Sequence, residues 1–318
     1  MILKDLNTKT IIMDKLLILY LSIIVLLFAA WFLYQYGIYS HDYGEYEKIW
    51  HYTNGVSFSD AYLNARYEIG SYFLFWNLSQ VTSAAQTFYI FGLISLSSKF
   101  YLIKRNYNYP LVSFSLYMII FVPILDANQI RAALAMTILM YSLCIKSNNI
   151  FTYLVLAGIA VLFHFSGIII LILYLVRFPL LGLIGLIVFS FSVQILISSF
   201  NYLAFAEYWL ASPSGKANLT SSIFILQAGI FFVSIYFWKK LSYLQQKGAY
   251  LNAFGVLIYV LFIDYDIVAH RIRELSQIGI MSILFFGEKK WTYIKLFSAL
   301  CISYIAIYNL IYIFGRLA

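Results

Sequence analysis

Charge is what this chain has least of: Asp, Glu, Lys and Arg make up 11% of its 318 residues, against roughly 25% in soluble proteins. Proline is also scarce, with four residues, and glycine is modest at 16, so few helices should be broken. The two cysteines, Cys144 and Cys301, sit in apolar stretches and form no spaced framework. There is no Walker loop, no HExxH or CxxC metal spacing and no dinucleotide fingerprint after a strand. Together these absences exclude disorder, secreted disulfide scaffolds and collagen-like repeats. They also leave no sequence signal for a nucleotide or metal cofactor.

What the chain does have is apolar surface. Hydrophobic residues reach 63%, with 29 Tyr and 28 Phe, more than a soluble fold of this size can hide. The net charge of +8 invites a nucleic-acid reading, but most of the excess lies in short connections between apolar runs. The composition therefore predicts an all-α, polytopic membrane protein, a single transmembrane unit over 1–318. Apolar runs near 16–36, 84–103, 109–125, 130–145, 150–163, 165–176, 181–198, 222–238, 249–263, 275–287 and 293–314 give about 11 spans by the hydropathy criterion. The pair 150–163 and 165–176 meets at His164 without a real loop, as two tilted spans or as a hairpin that does not cross fully. The first run is too long for the apolar core of a cleaved signal.

The basic residues set the orientation. With the N-terminus cytoplasmic, the inner side collects Lys4, Lys9, Lys15, Lys104, Arg105, Lys146, Arg177, Lys239, Lys240, Lys247, Lys289 and Lys290, and the outer side fewer. The positive-inside rule then puts the N-terminus in and the C-terminus out. The acids fall mostly outside, so any reactive site is expected to face outward.

Four polar islands lie on that outer face. The first is a loop over 37–68, long for a compact bundle; a second outer loop is expected at 199–221. Directly after the first, YEIGSYFLFWNLSQ (67–80) is too short to span and reads as an interfacial or re-entrant helix. Glu68 stands at its N-terminal turn, where simple capping would also explain it. Arg131, in DANQIRAALA, sits just inside the membrane boundary and needs a partner such as Asp126. His164 lies between two apolar runs in LFHFSG, and DYDIVAHRIRELSQ (264–277) brings Arg271 and Arg273 beside three acids. Arginines at headgroup depth form a natural receptor for phosphate, because the planar fork donates paired hydrogen bonds.

The order of HDYGEY (41–46), ARYEIG (65–70), QIRAALA (129–135), FHFSG (163–167) and HRIREL (270–275) resembles the EpsG family, bacterial polysaccharide polymerases of the Wzy type. The resemblance spans nearly the whole chain. It implies an inner-membrane glycosyltransferase that joins undecaprenyl-diphosphate-linked oligosaccharides on the periplasmic side, without cofactor or metal. Its partners would be those lipid-linked sugars, the bilayer, a chain-length regulator and a flippase, with no nucleic acid. The residue chemistry agrees. Arg131 and Arg271, with Arg273 in reserve, would stabilise the departing diphosphate. His164 or Glu68 would be the general base, and Asp42 would orient sugar hydroxyls or support an arginine. A transporter of the same lipid-linked sugars is the main alternative; charges crowded at one boundary, with no convincing repeat, speak against it. A membrane acyltransferase ranks lower, because the inner loops hold no histidine.

Overall fold

The computed structural model describes residues 22–24, 26–40, 42–63, 68–147, 149–199, 217–263, 265–287 and 292–317. These residues are helical throughout, with no strand among them. The helices are α1 (Ser22–Gly37), α2 (Tyr43–Thr53), α3 (Phe58–Leu63), α4 (Ile69–Ser79), α5 (Ala84–Asn106), α6 (Pro110–Ile120), α7 (Ile130–Cys144), α8 (Ile150–Val161), α9 (Pro179–Ser199), α10 (Ser222–Tyr236), α11 (Tyr243–Leu261), α12 (Asp266–Ser276), α13 (Ile278–Phe285) and α14 (Tyr293–Leu317). Where these helices start is written locally. Ser83 with Gln86, and Ser242 with Gln245, form reciprocal capping boxes at α5 and α11. Ser221 and Asn149 cap α10 and α8, and Pro110 opens α6 at a position that needs no N–H donor.

Within the described residues every apolar run falls on a helix, but not every helix is regular. After α6 the chain widens into a π turn, Val122–Asp126, with Pro123 inside it. After α8 it reverses at Leu162–His164 and continues as a 3-10 helix, Phe165–Arg177. These two places interrupt an otherwise regular set of helices. The second of these breaks contains no proline. The 3-10 helix packs back on α8, so 150–176 is a hairpin. Among the described residues, Tyr293–Ile311 is the stretch long and apolar enough to cross a membrane by itself. Pro110–Ile120, Ile130–Cys144, Ile150–Val161, Phe165–Arg177 and Ser222–Tyr236 are shorter apolar helices.

The segment expected as the first outer loop, 37–68, carries α2 and α3, joined by a turn at Gly55 whose positive φ suits glycine. The second, 199–221, falls mostly outside the described residues. The bundle has two chemically different ends. At one, Asn108 bonds Gly287 and Tyr243 bonds Ser147, near Lys104, Arg105 and Lys146. At the other lie α2, α4 and the starts of α7 and the 3-10 helix.

Polarity inside the bundle runs against the pattern of a soluble core. Leu27, Trp31, Ile195, Phe232 and Ile311 are exposed, whereas Ser95, Lys99, Asp126, Asn252 and Ser298 have no accessible surface. Lys99 Nζ meets Asp126 Oδ1 at 2.7 Å, and the Tyr117 hydroxyl donates to the other carboxylate oxygen at 2.6 Å. Asp126 is therefore an interior anion at the π turn and not the partner of Arg131. Lys247, assigned to an inner loop by sequence, is buried in α11. It donates to the Ser142 and Ile145 carbonyls that end α7.

Candidate functional site

An aromatic layer joins α2, α4 and α5. Tyr46 of α2 stacks on Phe75 of α4, with ring centroids 5.5 Å apart, and Phe75 packs on Phe91 of α5 at 4.5 Å. Ile130 and Leu134 of α7 complete this cluster. Side-chain donors lock the same helices: Trp50 Nε1 donates to the Thr82 carbonyl and Gln80 Nε2 to that of Thr53. Asn128, in the turn before α7, accepts the backbone N–H of Asp42 at 3.0 Å.

The start of α4 is pinned to the turn between α8 and the 3-10 helix. Gly70 N–H donates to the Leu162 carbonyl at 2.8 Å, and Ser71 Oγ donates to the Phe163 carbonyl at 2.6 Å. A Cβ at Gly70 would stand 2.7 Å from that Leu162 oxygen, so the approach requires glycine. With α4 docked in this way, Glu68 spans two partners. Its Oε2 accepts from Arg131 Nη1 at 2.5 Å, and its Oε1 accepts from the Phe165 N–H at 3.1 Å. Glu68 is the residue before α4, yet its side chain makes no capping bond. The simple capping explanation therefore does not hold.

His164 opens the 3-10 helix and caps it. Its Nδ1 accepts from the Ser166 N–H at 3.2 Å and lies 2.8 Å from Ser166 Oγ. A backbone N–H can only donate, so Nδ1 carries no hydrogen and Nε2 carries it. Burial pushes the imidazole down to about 3, and the charges of Arg131 and Arg271 push the same way. This ring is neutral at physiological pH and offers a donor. Arg131, from α7, and Arg271, from α12, both lie within electrostatic reach of His164.

Tyr46, absent from the sequence-derived site, joins the cluster as well. It is buried within electrostatic reach of Arg131 and of Asp42, four residues earlier. Burial raises its pKa, which keeps the phenol protonated. The signal was present in HDYGEY: Asp42 and Tyr46 are four apart and share a face once that stretch is helical. Arg273 stands elsewhere. It is buried with its guanidinium 4.7 Å above the Tyr259 ring on α11, the ring whose hydroxyl lies 3.4 Å from His270 Nε2.

The structure thus pairs Glu68 with Arg131 and ties Glu68 to the residue after His164, with Arg271 within electrostatic reach of His164 and Asp42 within that of Tyr46. It sets Arg273 on a neighbouring helix face. Among the described residues no three His, Cys, Asp or Glu side chains group closely enough to hold a metal. Two guanidinium groups beside a carboxylate and an imidazole donor can bind an anion and accept a proton at one place. The EpsG family model matches residues 17–317, nearly the whole chain. No curated protein and no solved structure matches it.

Proposed function

The chain belongs to the EpsG family, whose members are Wzy-type polymerase-like, and on that premise we propose that it polymerises lipid-linked oligosaccharides in a membrane. The reading is of a multi-span inner-membrane protein of about 11 helical segments, with the N-terminus cytoplasmic and the site periplasmic. The outward-facing apolar side chains and the polar interior support a lipid surrounding. Basic side chains near one end and the mixed-charge cluster at the other support the orientation.

The observation that carries the proposal is the Arg131–Glu68 pair beside His164, held at the junction of α4, α7 and the hairpin turn. A donor with an undecaprenyl diphosphate leaving group brings oxygens that compete with Glu68 for the Arg131 fork. Arg131 and Arg271 then neutralise the charge that grows as the anomeric C–O bond breaks. The displaced Glu68 carboxylate takes the proton of the acceptor hydroxyl, whose oxygen forms the new bond to the anomeric carbon. His164 donates from Nε2 to a phosphate or sugar oxygen, since its other nitrogen is occupied by Ser166. Asp42 and Tyr46 hold Arg131 in register. Arg273 supports α12 from behind through Tyr259. No metal is needed in this scheme, because the arginines supply the positive charge.

One observation favours the alternative of a lipid-linked-sugar transporter: the buried Lys99–Asp126 pair at an irregular helix, where transporters keep ionisable groups. Purified protein incubated with a synthetic undecaprenyl-diphosphate oligosaccharide separates the two. A ladder of longer glycans is expected. Its absence with every donor of the source strain, together with alternating protection of the substrate on the two membrane faces, would establish transport instead.

A further inference from the structure

The interior anion at the π turn is held from two helices at once. Lys99 Nζ of α5 meets one Asp126 oxygen and also donates to Ser95 Oγ at 2.9 Å, while the Tyr117 hydroxyl of α6 donates to the other oxygen. Ser95, Lys99, Tyr117 and Asp126 have no accessible surface. Ser95 Oγ lies 3.3 Å from Thr137 Oγ1, so the group also reaches α7. The main chain closes on the same point. A Cβ at Gly92 of α5 would stand 2.8 Å from the Asp126 carbonyl oxygen.

From Asp126 two arms run to the Glu68–Arg131 pair. The first is the chain itself. Ala127 N–H donates to the Val122 carbonyl at 2.8 Å and Asn128 N–H to that of Leu125 at 3.2 Å, and α7 starts after this turn with Arg131 as its second residue. The second arm is non-covalent. Asn128 of the same turn accepts the N–H of Asp42, the residue before α2. Tyr46 of α2 stacks on Phe75 of α4, and Glu68 directly precedes α4. Both members of the pair therefore take their place from one turn.

Apolar side chains of the same volume would stabilise this point as well or better. They would hold it without direction, however, and leave the turn free to settle at several rotations. A carboxylate bonded from two sides admits one. We infer that Lys99, Asp126 and Tyr117 are positioning residues that set Arg131 in register with Glu68. Their effect on catalysis rests on the proposed function, whereas their effect on the geometry of the pair does not.

Two variants of the full-length protein test it. Lys99→Met, Asp126→Leu and Tyr117→Phe together remove the anchor without stranding a charge in the interior, so the triple variant should still melt cooperatively. The Glu68→Gln and Arg131→Gln cycle is run in this background and in the wild type, with melting as the readout. The coupling is expected to fall to less than about half its wild-type value. Ladder formation should lose on the order of tenfold in kcat with KM little changed, since reacting groups misplaced by about 1 Å cost up to about 100-fold. Wild-type coupling and kcat in a folded triple variant would make these residues ordinary core contacts and overturn the inference. Second, Asn128→Ala cuts the arm to Asp42 at a half-buried turn position and leaves the anchor intact. It should weaken the same coupling while melting within about 2 °C of wild type. Unchanged coupling there overturns the inference even if the triple variant does not fold. The cycle needs no substrate. If the wild-type protein makes no ladder with any donor, the polymerase reading fails, and the coupling still decides the anchor.

Discussion

Replacing Glu68 by Gln and Arg131 by Gln, singly and together, measures the link that defines the site. The two side chains meet at 2.5 Å, and each keeps about a fifth of its surface accessible, 19% for Arg131 and 21% for Glu68. Fully exposed pairs are worth about 0.2–1 kcal/mol, and breaking buried ones costs roughly 3–5 kcal/mol. A coupling of about 2 kcal/mol is therefore expected from the double-mutant cycle. Gln at 68 retains an oxygen for the Phe165 N–H, so the cycle isolates the charge and not the tether of α4. Melting followed by intrinsic fluorescence in detergent should fall by about 5 °C for either single variant, with the double variant barely lower than the singles. Salt should change the coupling little, because the pair is mostly screened from solvent. A coupling under about 0.5 kcal/mol would refute the reasoning. It would mean that the guanidinium and carboxylate are neighbours without being partners.

Three further outcomes follow from the same geometry. Gly70→Ala drives a methyl group against the Leu162 carbonyl, so α4 must move; a loss of about 1–3 kcal/mol in thermal stability and of glycan-ladder formation is expected. Lys99→Met should lower stability by about 3–5 kcal/mol because it strands Asp126, while Lys99→Met with Asp126→Leu should recover most of that in the same melt. The His164 imidazole binds its proton near pH 3 in the folded chain and near 6.5 when unfolded, so the unfolded state gains protons first on acidification. Melting temperature should therefore drop as pH falls below 6.5 towards 4, and His164→Gln should flatten that drop.

The helices were legible where the signal is local. Capping boxes at Ser83 and Ser242 and the apolar runs mark where chain and helix coincide. The short α2 and α3 were not. Their composition is balanced between polar and apolar residues, and they are fixed by distant groups such as Thr82, Gln80 and Phe88. The π turn and the long 3-10 helix were equally hidden, because hydropathy carries no record of hydrogen-bond register. At the site, the residue types stood out in the sequence, since charges in apolar surroundings are costly and conspicuous. Their pairing did not. Asp126, five residues from Arg131, was the nearest acid in sequence. Lys99 takes it instead, and Glu68, 63 positions away from Arg131, fills the gap. The opposite directions of Arg271 and Arg273 also follow only once α12 is a helix packed on Tyr259.

The distance along the chain between Glu68 and its partner fixes an order of assembly. Ribosomes deliver the acid first, then Arg131, then Phe165, and Arg271 last, so the carboxylate waits in water through most of synthesis. No nascent fragment short of Arg271 holds all four side chains. The cluster is whole only when the final third of the polypeptide has come to rest beside the first.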